Sequence, residues 1–349
     1  MSRFENSSTV VNLKGDLTLH IEKYLATGSL GAVFQASLYH GAREQTRAVA
    51  AKFVHLPDCT TLQTTAVELQ QSFLKVSSLH KSLLRCDVFA DEQLKGLWIV
   101  SDLCYPGNTL LLSKTFGGFT ESQIACFVEQ VLAVLVSLEE KPSWQGLHCI
   151  KGSNILLDRD GLVKVVDYVQ HPSIMHLLDN RMNIQRSVVY WSSPESINNQ
   201  LSTNCSSDDI WALGVWMIEL AQGYTPFHSY GPCKVASCLQ AGERPQLECP
   251  SRYSIHFLDF LHQCLQKNPQ LRPSARELLA HPFLSAARKE DISHILQHTL
   301  SQDQSNEMRD LYLNKEWIVI LSGNKFVPLP YLSVFDVAVE QTKLSHGYE

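Results

Sequence analysis

The hydrophobic and polar positions of this chain change their period along its length. Between about Leu17 and Val100 the apolar residues come in short or alternating runs, "LTLHIEKYLATG", "GAVFQASLY", "RAVAAKFV" and "GLWIVSDL", bounded by Gly and polar residues. Such runs predict strands. One stretch among them, "TLQTTAVELQQSFLKVSSL", repeats its apolar residues at helical spacing and predicts a single helix. Beyond "CYPGNTL" the period lengthens: "TESQIACFVEQVLAVLVSLEE", "DDIWALGVWMIELAQG" and "SIHFLDFLHQCLQ" predict helices, the first opened by a Thr suited to cap it. From about Ser285 the runs shorten again, "EWIVIL" and "LSVFDVAVE", around the turn "SGNK". The expected architecture is α+β: a β-rich lobe over about 17–103 and a larger helical lobe over about 104–284. An extension over 1–16 and an appendage over 285–349 flank them.

Composition narrows the functional classes. With 349 residues, 44% hydrophobic and 18% charged, the chain can bury a two-lobed core. Its net charge of −6 argues against nucleic-acid binding or a polybasic membrane anchor, so proteins or small molecules are the expected partners. The start "MSRFENSSTVVNLKG" has no apolar targeting core, and apolar runs such as "VLAVLVSL" fall short of the roughly 20 residues that cross a bilayer. A cytoplasmic chain without membrane insertion is expected, the nucleus remaining open. The ten cysteines include no CxxC pair, which favours reduced thiols over a disulfide framework or a zinc knuckle.

The candidate chemistry begins at "ATGSLGAVF", where Gly28 and Gly31 either let a hairpin backbone approach a phosphate or serve as ordinary turn residues. In "AVAAKF", Lys52 stands in an apolar strand; alone it reads as a solvated edge charge. Glu68 and Gln71 lie one turn apart on the expected helix, so either is placed to meet Lys52. Lys151, Asn154 and Asp167 follow in "GLHCIKGSNILLDRDGLVKVVDYV".

In this order the features resemble the eukaryotic protein kinase domain, which implies a bilobal kinase-like fold over about Leu17 to Leu284. The resemblance continues in "WSSPES", with Ser193, Pro194 and Glu195 at the APE element, and in "DDIWALG", with Asp209, Trp211 and Gly214 opening the central helix. In "PQLRPSARELLAHPFL", Arg272 stands where the ion partner of the APE glutamate is usual. "LWIVSDL", "VVYWSSPE", "ELAQGYTPF" and "CLQKNPQLRPSA" are similar to the sterile-twenty-like branch, including STRAD-type adaptor pseudokinases. The STRAD-type terminal Trp-Glu-Phe tail is missing, since this chain ends "LSHGYE".

The resemblance implies that ATP would be held by Gly28, Gly31, Val33, Ala50, Lys52, Asp102, Cys104, Lys151, Asn154 and Asp167, and Mg by Asn154 and Asp167. Lys52, Asn154 and Asp167 also read as a buried ion network that only stabilises the lobes. Glu68 or Gln71, Glu195, Asp209 and Arg272 are implied as structural residues, and Ser101 as a small gatekeeper before the hinge. Cys104 and Cys149 read as structural thiols before reactive ones.

Anchoring the catalytic loop on Lys151 and Asn154 puts Leu147, His148 and Cys149 on the H-R-D positions. A thiol with an ordinary pKa of about 8.5 is mostly protonated at neutral pH and replaces a carboxylate poorly. His148 takes the place of the arginine that grips the activation loop, Val188 that of the threonine that contacts the loop, and Asp167-Tyr168-Val169 that of D-F-G. The expected function is a pseudokinase that acts as an adaptor or allosteric regulator of a protein partner, another kinase or a scaffold. The alternative is a weak or atypical Ser/Thr kinase, and a third class is a kinase-like module that binds no nucleotide.

Overall fold

The structure is a computed structural model, and it describes residues 9–27, 31–41, 45–56, 59–141, 146–148, 150–166, 188–198, 205–287, 292–293 and 295–297. The first lobe is an antiparallel sheet of β1 (Thr9–Asn12), β2 (Leu17–Thr27), β3 (Ala32–His40), β4 (Gln45–His55), β5 (Cys86–Asp91) and β6 (Gly96–Asp102). Their order across the sheet is β1-β2-β3-β4-β6-β5. Part of the N-terminal extension thus belongs to the sheet, because Thr9 to Asn12 pair with Ile21 to Thr18.

Strand alternation separates two faces. Val49, Ala51 and Phe53 of β4 join Leu19, Phe34, Trp98 and Val100 in one apolar cluster, while Ala50 and Lys52 point to the other side. Helix α1 (Leu62–Ser77) buries Leu62, Ala66, Leu69 and Phe73, a stripe at helical spacing. Gln70 fixes this helix to β5: its amide donates to the Cys86 carbonyl at 3.2 Å and accepts from the Val88 N–H at 2.6 Å.

The second lobe contains α2 (Thr109–Phe116), α3 (Glu121–Glu139), α4 (Pro194–Asn198), α5 (Cys205–Gln222), α6 (Pro232–Gln240), α7 (Ile255–Cys264) and α8 (Ala275–Leu279). A small sheet of β7 (Gly107–Asn108), β8 (Ile155–Leu157) and β9 (Val163–Val165) lies at its top. The expected Thr cap is present: Thr120 and Gln123 form a reciprocal capping box at the start of α3. By length and composition α3 is apolar enough to cross a membrane, contrary to the expectation from the shorter run alone. Its Ile124, Phe127, Val131, Leu132 and Leu135 instead fill the lobe's core.

Beyond Leu284, Ile292 and Ile295 are buried in that same core. Ile292 comes so close to the β8–β9 turn that a Cβ on Gly161 would lie 2.8 Å from its Cγ2. The runs "EWIVIL" and "LSVFDVAVE" lie outside the described residues.

Candidate nucleotide cleft and catalytic loop

The cleft roof follows from strand register. Val33 pairs with Lys52 across β3 and β4, and Ala50 pairs with Ser101 across β4 and β6. Directly opposed residues share a face, so Val33, Lys52, Ala50 and Ser101 line the side away from the outer apolar cluster. Gly31 has a steric reason to be glycine, because a Cβ there would collide with the Phe53 carbonyl; Gly28 lies outside the described residues.

Glu68 and Gln71 are exposed and line one shallow depression with Ser72 and Lys75. Asp102 is an exposed partner of Arg47, 3.0 Å away. Burial, reinforced by the charge of Asp158, pushes the Cys104 thiol up to about 12, which disfavours the reactive thiolate. None of the described cysteines is disulfide-bonded.

The cleft floor is hung from α5. The buried carboxylate of Asp209 accepts the N–H groups of Leu147 at 2.6 Å and His148 at 2.8 Å. His148 is held at a φ of 50°, a left-handed conformation unusual for a residue with a side chain. Burial raises Asp209 to about 6, opposed by His148 and these two N–H groups. Lys151 and Asn154 are both buried. The Asn154 N–H donates to the Lys151 carbonyl at 2.9 Å, and the Asn154 carbonyl accepts from Val166 at 3.0 Å, immediately before Asp167. Cys149 and Asp167 themselves, with Tyr168 and Val169, lie outside the described residues.

A second anchor lies beneath Lys151. Glu219, fully buried on α5, accepts the Gly152 N–H at 2.8 Å. The Gly152 carbonyl accepts from Leu110 N–H and the Thr109 hydroxyl, and Thr109 in turn accepts the Trp216 indole N–H. The other Glu219 oxygen and the Trp191 indole N–H are buried without a well-formed hydrogen bond among the described residues. Burial raises Glu219 to about 7, with the Gly152 N–H, Trp191 and the charges of Lys114 and Lys151 pulling the other way.

Residues 19–284 match the family described as "Protein kinase domain". The chain belongs to the protein kinase family. It is 33% identical over 272 residues to Cytokinesis protein sepH of Aspergillus niger, 76% of this chain but 19% of that protein. It is 34% identical to Serine/threonine-protein kinase ppk11 of Schizosaccharomyces pombe, covering 74% of this chain and 79% of the relative. It is 30% identical to Serine/threonine-protein kinase 10 of Homo sapiens, covering 76% of this chain and 27% of the relative. These relatives fit the sterile-twenty branch, and the chain spans about a fifth of the length of the sepH proteins.

As a kinase domain, the structure pairs Glu195 of the APE position with Arg272. The Arg272 side chain is fully buried, and its Nη2 donates to Glu195 Oε2 at 2.8 Å. Its Nε donates to the Gln266 carbonyl at 2.8 Å and its Nη1 to the Ser207 carbonyl at 2.9 Å, while the guanidinium lies over Trp211. Burial pushes Glu195 up, but the Arg272 hydrogen bonds and charge outweigh it and hold the carboxyl below its ordinary value.

A protein kinase domain in general binds ATP and Mg. Lys52, Ala50 and Val33 would face the nucleotide, and Asn154 would offer a side-chain oxygen to Mg beside Asp167. The sequence reading missed Glu219, Thr109 and Gln70. Glu219 did leave a signal: it is the lone acidic residue in the apolar run "WMIELA".

Proposed function

We propose that this chain is a nucleotide-binding pseudokinase whose folded lobes regulate a protein partner. One observation carries the reading: Cys149 occupies the position of the catalytic carboxylate in a loop whose neighbours Leu147, His148 and Gly152 are tied to α5. The loop has kept the supports that shape it and exchanged the group that would orient a substrate hydroxyl. ATP supplies the γ-phosphoryl group and, with Mg, its charge neutralisation. Lys52 would meet the phosphates and Asn154 would hold the metal, roles that need no general base.

The relatives taken alone favour the second reading, a weak or atypical Ser/Thr kinase, because those named above include proteins named Ser/Thr kinases. Physics leaves room for it. A positioned base is worth roughly 10²–10⁴-fold, and much of phosphoryl transfer is positioning and electrostatics. Against it stand His148, Val188 and Val169, each at a position that orders the activation segment or the loop.

The test is thermal unfolding of the full chain with ATP, with and without Mg. A ligand at 100 times its Kd stabilises the folded state by about 2.7 kcal/mol, and Lys52→Met should remove that shift. No shift under either condition would assign the cleft to structural support alone. ATP turnover abolished by Asp167→Ala would assign it to catalysis.

A further inference from the structure

On the helical lobe, the turn after α5 and the segment after α6 border an open cavity of about 290 Å³, lined by Pro226, Phe227, Glu243, Arg244 and Gln246. None of these residues belongs to the cleft. Phe227 has a φ of 61°, held by its carbonyl accepting the Tyr230 N–H at 2.8 Å and by stacking of the two rings at 6.0 Å. On the opposite wall, Pro245 and Leu247 are buried, and Arg244 and Gln246 alternate with them on the cavity side.

Arg244 is half-buried, yet it makes no hydrogen bond or ion pair with any described residue. Arg47, Arg272 and Arg276 each meet a carboxylate. The adjacent Glu243 lines the same cavity and is exposed at its rim, but it forms no ion pair with Arg244. A partly desolvated guanidinium that faces a cavity and meets no carboxylate is an unfinished ion pair.

We propose that this cavity docks an acidic side chain of a protein partner, with the carboxylate on Arg244 and a neighbouring apolar side chain against Pro226 and Phe227. The planar guanidinium fork matches a carboxylate in two parallel hydrogen bonds. The volume lies at the small end for ligand pockets and suits one or two side chains better than a whole cofactor. Gln246 offers a donor and an acceptor to the peptide backbone. Glu243 at the rim repels a second acid, so an isolated Asp or Glu beside an apolar residue is preferred over an acidic run. This assignment stands whether or not the chain transfers phosphate.

The experiment uses the immobilised full chain and two pools of random decapeptides, one with Asp or Glu fixed at the centre, the other with Asn or Gln. The acidic pool should be retained preferentially, with an apolar residue enriched beside the acid. For the best peptide, Arg244→Ala should weaken binding about tenfold, as expected for a hydrogen-bonded charge. Its melting temperature should stay at the wild-type value, since Arg244 supports no other described residue. Arg244→Glu should reverse the preference toward a basic centre. Equal retention of the two pools, or unchanged affinity in Arg244→Ala, would overturn the proposal. Stronger binding of a phosphoserine peptide than of its Asp counterpart would overturn the carboxylate assignment.

Discussion

The buried supports of the catalytic loop and the motif residues along that loop differ in how far they follow the kinase pattern. Underneath, Asp209 and Glu219 of α5 hold the loop backbone at Leu147, His148 and Gly152, as a kinase fold requires. In sequence, Leu147, His148 and Cys149 stand where the kinase motif carries H-R-D. The backbone shape depends on buried carboxylates whose loss would leave amide groups unsatisfied, a cost felt on folding. The motif side chains of a kinase carry chemistry, and a folded chain can exchange them. Family membership therefore tracks the buried supports, and the proposed loss of activity rests on the motif side chains.

The largest expected effect breaks the supporting side of this comparison. Arg272→Ala should lose about 3–5 kcal/mol in denaturant unfolding, because Glu195 would remain partly buried without its partner. Loss of under 1 kcal/mol would show that the pair does not support the lobe. Next comes the anchor beneath Lys151. Glu219 binds its proton more tightly folded, at about 7, than unfolded. Its contribution to stability is therefore fully present below the unfolded carboxyl value and is lost as pH rises through about 7. Glu219→Gln keeps an acceptor for Gly152 without the buried charge. It should be more stable than wild type at pH 8, by up to about 3 kcal/mol, the difference closing near pH 4. Urea melts across that range provide the check; identical pH profiles would mean that Glu219 titrates normally.

A smaller effect is expected at the α8 capping box, where Ser274 and Glu277 bond reciprocally. Ser274→Ala should cost about 1 kcal/mol, readable in the same melts. The smallest is chemical. At pH 8, iodoacetamide should modify exposed Cys233 and Cys249 and spare Cys104, whose thiol is pushed up to about 12. Rapid modification of Cys104 in peptide mapping would show an open hinge.

Much of the fold was legible in the sequence because its two periods are clean. The β2, β3, β4 and β6 strands, α1, α3, α5 and α7 all fall on runs that predict them. β5, over "CDVFAD", was missed because a six-residue edge strand is too short to stand out. β7 to β9 were missed for the same reason, being two or three residues long. The pairing of Glu195 with Arg272 was legible from motif order, since both positions carry a fixed partner in the family. The anchor at Glu219 was not, because nothing local distinguishes a buried glutamate with a backbone partner from a solvated one. Gln70 was hidden similarly: the sequence pointed to Glu68 and Gln71, while the residue that ties α1 to β5 is the glutamine immediately before Gln71.

The most direct test of the central claim is phosphoryl transfer from radiolabelled ATP by wild type, Cys149→Asp and Lys52→Met, with a generic protein substrate and with ATP-dependent melting recorded on the same samples. The account predicts an ATP-dependent thermal shift in wild type and Cys149→Asp but not in Lys52→Met, and no transfer above background in any of the three. Transfer by wild type that disappears in Lys52→Met would contradict it, and would make this chain a working kinase despite the cysteine in its catalytic loop.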